Sequence, residues 1–370
     1  MPPLNDILVL DFSTLLPGPM ASLCLADAGA RVIKVERPPD GDIMRSYEPA
    51  IDGTSINFGM LNRGKSSLGI DLKAPGAREQ LLPLLRRADI LIEQFRPGVM
   101  DRLGLAYADV QAIKPDIIYC SINGWGSTGP KSGLAGHDLN YMAETGVLGL
   151  SVDATGAPLL PPLLAADIAG GAWPAVINIL LALRKRDQTG AGCWIDVAMG
   201  ENLFPFLYWA LGNAHALQRW PVPGGETVTG GSPRYQIYRT RDGRHLAAAP
   251  LEEPFWRNFT TIIGLDPTLI DDARDPEATR RAVAERIAAR DGRDWMKAFH
   301  GVDVCCSLVL TLQEALADPH WQARGIFGRT LDMGAQTVPA LPSIVSPALR
   351  DPGQSTAAPA LGALDPASMA

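Results

Sequence analysis

Residues 7–36 read strand, helix, strand. ILVLDF (7–12) is a short apolar run that ends in the turn-prone Ser-Thr-Leu-Leu-Pro-Gly-Pro. A helix over 20–28 closes at Gly29, and RVIKVE (31–36) alternates β-branched residues. Such a unit makes its two strands parallel, with the helix crossing one face of the sheet. The pattern recurs in SLGIDL (67–72), an amphipathic helix over 76–88, DILIEQF (89–95), a helix start at 98–103 and DIIYCSING (116–124). A chain punctuated in this way is α/β with a parallel sheet. Ligands of open parallel sheets sit beyond the carboxyl ends of the strands, so the loops 36–38, 95–98 and 123–136 are candidate walls of a site. The first connection lacks G-x-G-x-x-G, so no dinucleotide fingerprint is read there. Pro17-Gly18-Pro19 still stands at a helix start, where backbone N–H groups favour an anion.

Further along, a helix-like segment covers 139–150 and a Gly- and Pro-bearing loop covers 151–162. Asp167 precedes a long helical pattern over 168–186. CWIDVAM (193–199) is a strand, and a helix follows over 201–217. The composition shifts at 218–233, QRWPVPGGETVTGGSP, which reads as a linker. YQIYRTRDGRHLAAAP is a hairpin with Asp242-Gly243 at its turn, and helices run from 253 to about 317. The expected organisation is a large domain over 1–217, the linker, a small α+β domain over 234–318, a return segment over 319–350 and a mobile tail over 351–370. A length of 370 residues suits two cores.

Bulk properties exclude several classes. Net charge is −7, with no clustering of Lys and Arg, so no nucleic-acid partner is expected. The longest apolar candidate, 175–183, falls short of the ~18 residues a membrane span needs. Five cysteines lack zinc or disulfide spacing, the start of the chain carries no basic leader, and Ala-Ser-Met-Ala is not a peroxisomal address. A cytoplasmic location is the expectation. Five histidines show no metal-ligand spacing, and neither G-x-S-x-G nor a P-loop occurs, so no metal is expected.

The chemistry concentrates at 136–141, Gly-His-Asp-Leu-Asn-Tyr, delivered by a Gly-rich loop to a helix start. His137 is read either as a helix cap or as an acid/base group. Asp167 is a favoured N-cap type, yet the Gly170-Gly171 pair behind it costs a helix roughly 1 kcal/mol per glycine. Such a pair is tolerated where something must approach the backbone closely. A carbonyl lying on that helix start would meet N–H groups as negative charge develops. Arg37, Arg96, Lys65 and Arg63 are candidate phosphate ligands, Arg37 and Arg96 the stronger because they follow strands. Trp125, Tyr141 and Trp173 are read as packing residues able to line an acyl pocket.

Seven ordered segments resemble the class III CoA-transferase (CaiB/BaiF) family. They are DFSTLLPGPMASLCLADAGARVIKVERP, NRGKSSLGIDLK, DILIEQFRPGVMDRLGL, INGWGSTGP, AGHDLNYMAETGVLGL, PPLLAADIAGG and TGAGCWIDVAM, and they span about residues 6–205. Within the family, GHDLNY resembles the α-methylacyl-CoA racemase branch, since transferases usually carry another residue at the His position. The resemblance implies His137 and Asp167 as the two acid/base groups, with Glu252 (Glu253 the alternate) supporting the histidine. It implies Arg37, Lys65 and Arg96 as CoA contacts, with Gly136, Asp138 and Tyr141 on the substrate wall. It implies an interlocked homodimer of chains with a Rossmann-like large domain and a small domain, acting on an acyl-CoA thioester without a cofactor, CoA being part of the substrate.

On that basis the expected reaction interconverts (2R)- and (2S)-2-methylacyl-CoA. One base removes the α-proton and the other returns a proton to the opposite face. The alternative is CoA transfer between carboxylic acids through Asp167 as nucleophile, which leaves His137 without a role. A non-catalytic CoA-binding scaffold would need one of the two acid/base positions to be missing, and both are present.

Overall fold

A computed structural model describes residues 1–153, 155–350, 353 and 355–364. The chain divides into two compact units. One is formed by Met1–Thr145, Pro162–Phe206 and Arg324–Ala370, the other by Gly146–Pro161 and Leu207–Ala323.

The first unit is mixed α/β around a six-stranded sheet. Its strands are β1 (Leu8–Asp11), β2 (Arg31–Glu36), β3 (Ser66–Gly69), β4 (Ile90–Glu93), β5 (Ile118–Asn123) and β6 (Cys193–Ala198). All neighbours pair parallel, in the order β3-β2-β1-β4-β5-β6. This is the Rossmann order, in which the winding reverses between β1 and β4 and leaves a crevice at the carboxyl ends. The strands read as continuous apolar runs because both faces are covered. Val9, Leu10, Ile90, Leu91 and Ile92 are wholly buried. Helices α1 (Pro17–Asp27) and α2 (Ala77–Leu85) cover the sheet, the latter through Leu81, Leu84 and Leu85.

Two short helices carry the candidate site. Helix α3 (Asp138–Glu144) starts at His137. A π-helical turn, Ala166–Ala172, runs straight into α4 (Trp173–Thr189) and packs on α1. The apolar helix is therefore longer than the sequence suggested. Ala166–Thr189 is the one helix among the described residues long and apolar enough, by length and composition, to cross a membrane. Within this chain one face of it, through Ala175, Ile179 and Leu183, is buried and packs against α1, β5 and β6, while Ile177, Leu180 and Leu181 on the other side are exposed.

In the second unit, β7 (Gln236–Arg239), β8 (His245–Ala248) and β9 (Cys306–Leu308) form an antiparallel sheet in the order β9-β8-β7. Gly243 takes φ +78° at the hairpin turn, which suits glycine there. Helices α6 (Glu253–Ile263), α7 (Pro276–Ala288) and α8 (Gly292–Phe299) close a core of Trp256, Phe259, Trp295 and Phe299.

The boundaries depart from expectation. Helix α5 (Tyr208–Leu217) and residues 218–233 belong to the second unit. The stretch expected as a linker is folded, because buried Glu226 accepts the Val222 N–H at 3.0 Å and pairs with Arg219 at 3.2 Å. From Arg324 the chain is part of the first unit, where Arg329 reaches Asp27 at 2.5 Å. Strand β10 (Thr330–Asp332) pairs antiparallel with β11 (Thr337–Pro339) and parallel with β12 (Ser355–Ala357). The expected mobile tail is thus corrected over 355–364. Gly362 donates to Ser67 Oγ at 3.1 Å and Leu364 N–H to the Ser67 carbonyl at 2.9 Å. The rest of that tail, 351, 352, 354 and 365–370, lies outside the described residues.

Candidate active site

The crevice predicted by the strand order is occupied by a cavity of about 380 Å³. Leu15 and Pro17 follow β1, Arg96 and Pro97 follow β4, and Gly124 and Trp125 follow β5, all on its wall. Gly136, His137, Asn140, Tyr141 and Asp167 complete it. Two stretches about thirty residues apart in sequence therefore meet around one space.

The run Gly136 to Tyr141 accounts for its own composition. Asn140 Oδ1 accepts the His137 backbone N–H at 3.0 Å and so caps α3. Tyr141 donates its hydroxyl to the Gly136 carbonyl at 2.6 Å. Its ring lies where side chains on two glycines would go, since a Cβ on Gly124 or Gly136 would stand 2.3 or 2.7 Å from the ring. Trp125 meets the same ring edge-on at 4.9 Å. Asp138 is buried and turned away from solvent, and its Oδ1 accepts the Asp167 N–H at 3.0 Å. The expectation that Asp138 contacts substrate gives way to this supporting contact, and Tyr141 is primarily a wall. The His137 side chain makes no capping bond and is exposed.

Asp167 is half-buried in the π-helical turn. Burial, reinforced by the nearby Asp138 carboxylate and partly offset by His137, pushes its carboxyl up to about 6. A carboxyl at that value populates both proton states near neutrality. The cap reading of Asp167 is excluded, since the helix starts earlier and Ile168 already donates to the Leu164 carbonyl at 3.1 Å. The glycine pair behind it has a different reason from the one expected. A Cβ on Gly170 would stand 2.5 Å from the Met199 carbonyl, and one on Gly171 would meet both Met199 and Pro17. The close approach is by the protein's own backbone, and the Asp167 N–H is already taken. The α1 start is likewise no anion site, because Gly18 donates its N–H to Gln94 Oε1 at 3.0 Å and both flanking prolines have none.

The cation assignments divide. Arg96 is exposed on the wall of the cavity. Arg37 is exposed on a second cavity of about 310 Å³, past the ends of β1, β2 and β3, where Lys73 joins it. In the sequence Lys73 stands directly after the SLGIDL run, with nothing else to single it out. Lys65 is a correction. It lies fully inside, 3.3 Å from Asp11 and within 2.9 Å of the Pro19 carbonyl and Asn62 Oδ1, so it is not presented to a phosphate. Arg63 is buried too, forked onto Asp27 at 2.6 and 2.9 Å.

Glu252 belongs to the second unit, exposed at the N-cap of α6. Its neighbour Glu253 is held by Arg234 at 3.1 Å and Arg257 at 2.9 Å, which favours Glu252 as the carboxylate left for another role. Glu93 escaped the sequence reading. It ends β4 inside the unit, and burial pushes its carboxyl up to about 7.

Residues 4–364 match the profile of CoA-transferase family III. The chain is 34% identical to human alpha-methylacyl-CoA racemase, covering 94% of this chain and 90% of that protein. It is 31% identical to the acetyl-CoA:oxalate CoA-transferase of Acetobacter aceti, covering 97% and 93%. A CaiB/BaiF family protein from Brucella suis superposes with a TM-score of 0.84 at 29% identity, over 98% of this chain and 97% of that one. The chain is an enzyme of CoA-transferase family III.

Proposed function

We propose that this enzyme racemises 2-methyl-branched acyl-CoA thioesters by proton transfer between two bases. The observation that carries this reading is the presence of an exposed imidazole and a carboxyl lifted to about 6 on one cavity wall. Inversion needs a proton acceptor on one face of the α-carbon and a donor on the other, and two groups that exchange these roles serve both directions. As the α-proton leaves, negative charge moves to the thioester oxygen. The Asp167 N–H is bonded elsewhere, so the Arg96 guanidinium on the same wall is assigned to that charge. The nucleotide end of CoA is assigned to the cavity of Arg37 and Lys73, a point-charge and fork pair suited to phosphates. CoA is part of the substrate and the chemistry is that of side-chain acids and bases. The working unit is proposed to be a homodimer, which sedimentation at micromolar concentration checks.

Incubation of one 2-methylacyl-CoA enantiomer in deuterated water is the test. Racemisation with one deuterium entering at C2 is expected. Intact CoA binding with no exchange would sink the proposal.

The second reading rests on the transferase relatives. There the Asp167 carboxylate attacks the thioester carbonyl, expels CoA thiolate and forms a mixed anhydride. The thiolate then attacks the aspartyl carbonyl, releases the first acid and leaves CoA on Asp167. Hydroxylamine after acyl-CoA treatment would modify Asp167 in that case and leave a racemase untouched.

A further inference from the structure

One short turn lies against both cavities. Phe12 and Thr14 line the cavity of Arg37, and Leu15 lines the cavity of His137. Leu15 takes φ +61°, a left-handed conformation that leucine rarely adopts unless its surroundings enforce it. The enforcement comes from Asp42. Both its carboxylate oxygens accept the Leu15 N–H, at 3.1 and 3.2 Å.

Asp42 is only 1% exposed and is itself fixed from three sides. Its oxygens pair with Lys34 Nζ at 2.9 Å, both side chains being fully buried. Its own N–H donates to Glu36 Oε1 at 3.0 Å, and it accepts the Met44 N–H at 3.0 Å. Lys34 also donates to the Ser13 carbonyl at 2.7 Å, while the Ser13 N–H goes to Asp11 at 3.0 Å. The backbone of residues 13 and 15 is thus tied to buried charges. Buried ion pairs are weak devices for stability, since apolar residues of the same volume often serve as well. Their use here is to hold one strained backbone geometry between two cavities.

We propose that Asp42, backed by Lys34, is a positioning residue for the acyl-CoA, holding the 13–15 turn as the saddle over which the pantetheine arm passes from the nucleotide cavity to the catalytic cavity. This rests on the proposed function, which puts phosphates at Arg37 and the thioester at His137 and Asp167. A ligand spanning both cavities must run along the features their walls share, the 12–15 turn and Phe95. Binding energy from the remote nucleotide reaches the reacting carbon only if that path is rigid.

Two variants test it. Asp42→Asn keeps an oxygen for the Leu15 N–H and removes the charge. Leu15→Gly relieves the φ of +61° and frees the turn, so it folds even where Asp42→Asn does not. Each is assayed by thermal melting and by deuterium exchange with a 2-methylacyl-CoA and with the matching N-acetylcysteamine thioester, which lacks the nucleotide. The expected result for Leu15→Gly is a KM for the CoA ester raised ~10-fold or more, and a kcat/KM that falls ~10-fold further for the CoA ester than for the short thioester, whose own loss reports the leucine removed from the catalytic wall. A folded Leu15→Gly enzyme with unchanged KM overturns the proposal, and so does an equal loss on both substrates. Wild-type enzyme that neither binds nor exchanges the CoA ester overturns the functional reading and takes this proposal with it.

Discussion

Glu93 offers the sharpest physical test, because its burial has a calculable effect. The side chain ends β4 and the residue is 7% exposed. It accepts the Phe95 N–H at 2.9 Å and a hydrogen bond from Ser121, and both favour the carboxylate. Burial outweighs them, the charges of Asp196 and Asp101 add to it, and the carboxyl rises from 4.5 to about 7. The folded state therefore holds this proton more tightly than the unfolded chain. The stability it contributes is fully present below about pH 4.5 and is lost as pH rises through 7. A shift of that size corresponds to about 3 kcal/mol of stability, present in acid and absent at pH 8. Glu93→Gln keeps the acceptor for Phe95 and cannot ionise. Weakening the two hydrogen bonds costs about 1 kcal/mol. The variant is then expected to be about 2 kcal/mol more stable than wild type at pH 8 and equal or slightly less stable at pH 5. Urea denaturation of both proteins between pH 5 and 8, followed by tryptophan fluorescence, reads the difference. Subtracting the curves removes the groups they share. A variant less stable than wild type at pH 8, or a difference that does not change with pH, would refute the argument that burial dominates at Glu93.

Two further tests address the site. Asp138 raises the Asp167 carboxyl by its charge, so in Asp138→Asn the acidic limb of the exchange rate, expected near pH 6 in wild type, should move to lower pH. A limb that stays put would mean that another group titrates there. Lys65→Met should lower stability by up to roughly 3–5 kcal/mol, because the buried Asp11 loses its ion partner at 3.3 Å and keeps only the Ser13 and Ser22 hydrogen bonds and the Lys34 charge, with little change in KM for acyl-CoA in the folded fraction. A stable variant with a raised KM would restore Lys65 as a phosphate ligand.

What the sequence disclosed follows from how locally each feature is encoded. The strands of the sheet announce themselves by apolar runs cut by Gly and Pro, and the parallel α/β class follows from their alternation with helices. Pairings across the sheet do not show themselves in this way. Lys65 meets Asp11 across 54 positions and Arg63 meets Asp27 across 36, so the sequence hides both partners and leaves each cation a candidate phosphate ligand. The same holds for Gly170, whose neighbour Met199 lies on another element. The helix that holds Asp167 begins ahead of it with no capping side chain, so a residue of cap type inside its first turn looks like its boundary. The terminal residues 355–364 have a tail-like composition, yet their backbone groups pair with β10 and Ser67, a contact that composition does not encode.

The run 136–141 bears most directly on the choice between isomerase and transferase. Each of its polar members but one is explained by the fold alone. Asn140 caps the helix that His137 begins, Tyr141 ties itself to Gly136, and Asp138 secures the backbone of Asp167. These contacts build the wall and place the carboxyl, and any chemistry that uses Asp167 needs them. The imidazole of His137 is different. It caps nothing and is exposed on the cavity wall. A transferase acting through Asp167 has no step for it, and the helix start gives it no structural task. Proton transfer to and from a carbon beside Asp167 is a task that both its chemistry and its position suit. The discriminating variant is therefore His137→Ala, which should cost the exchange reaction ~10²-fold or more while leaving Asp167 able to be acylated if the chain is a transferase.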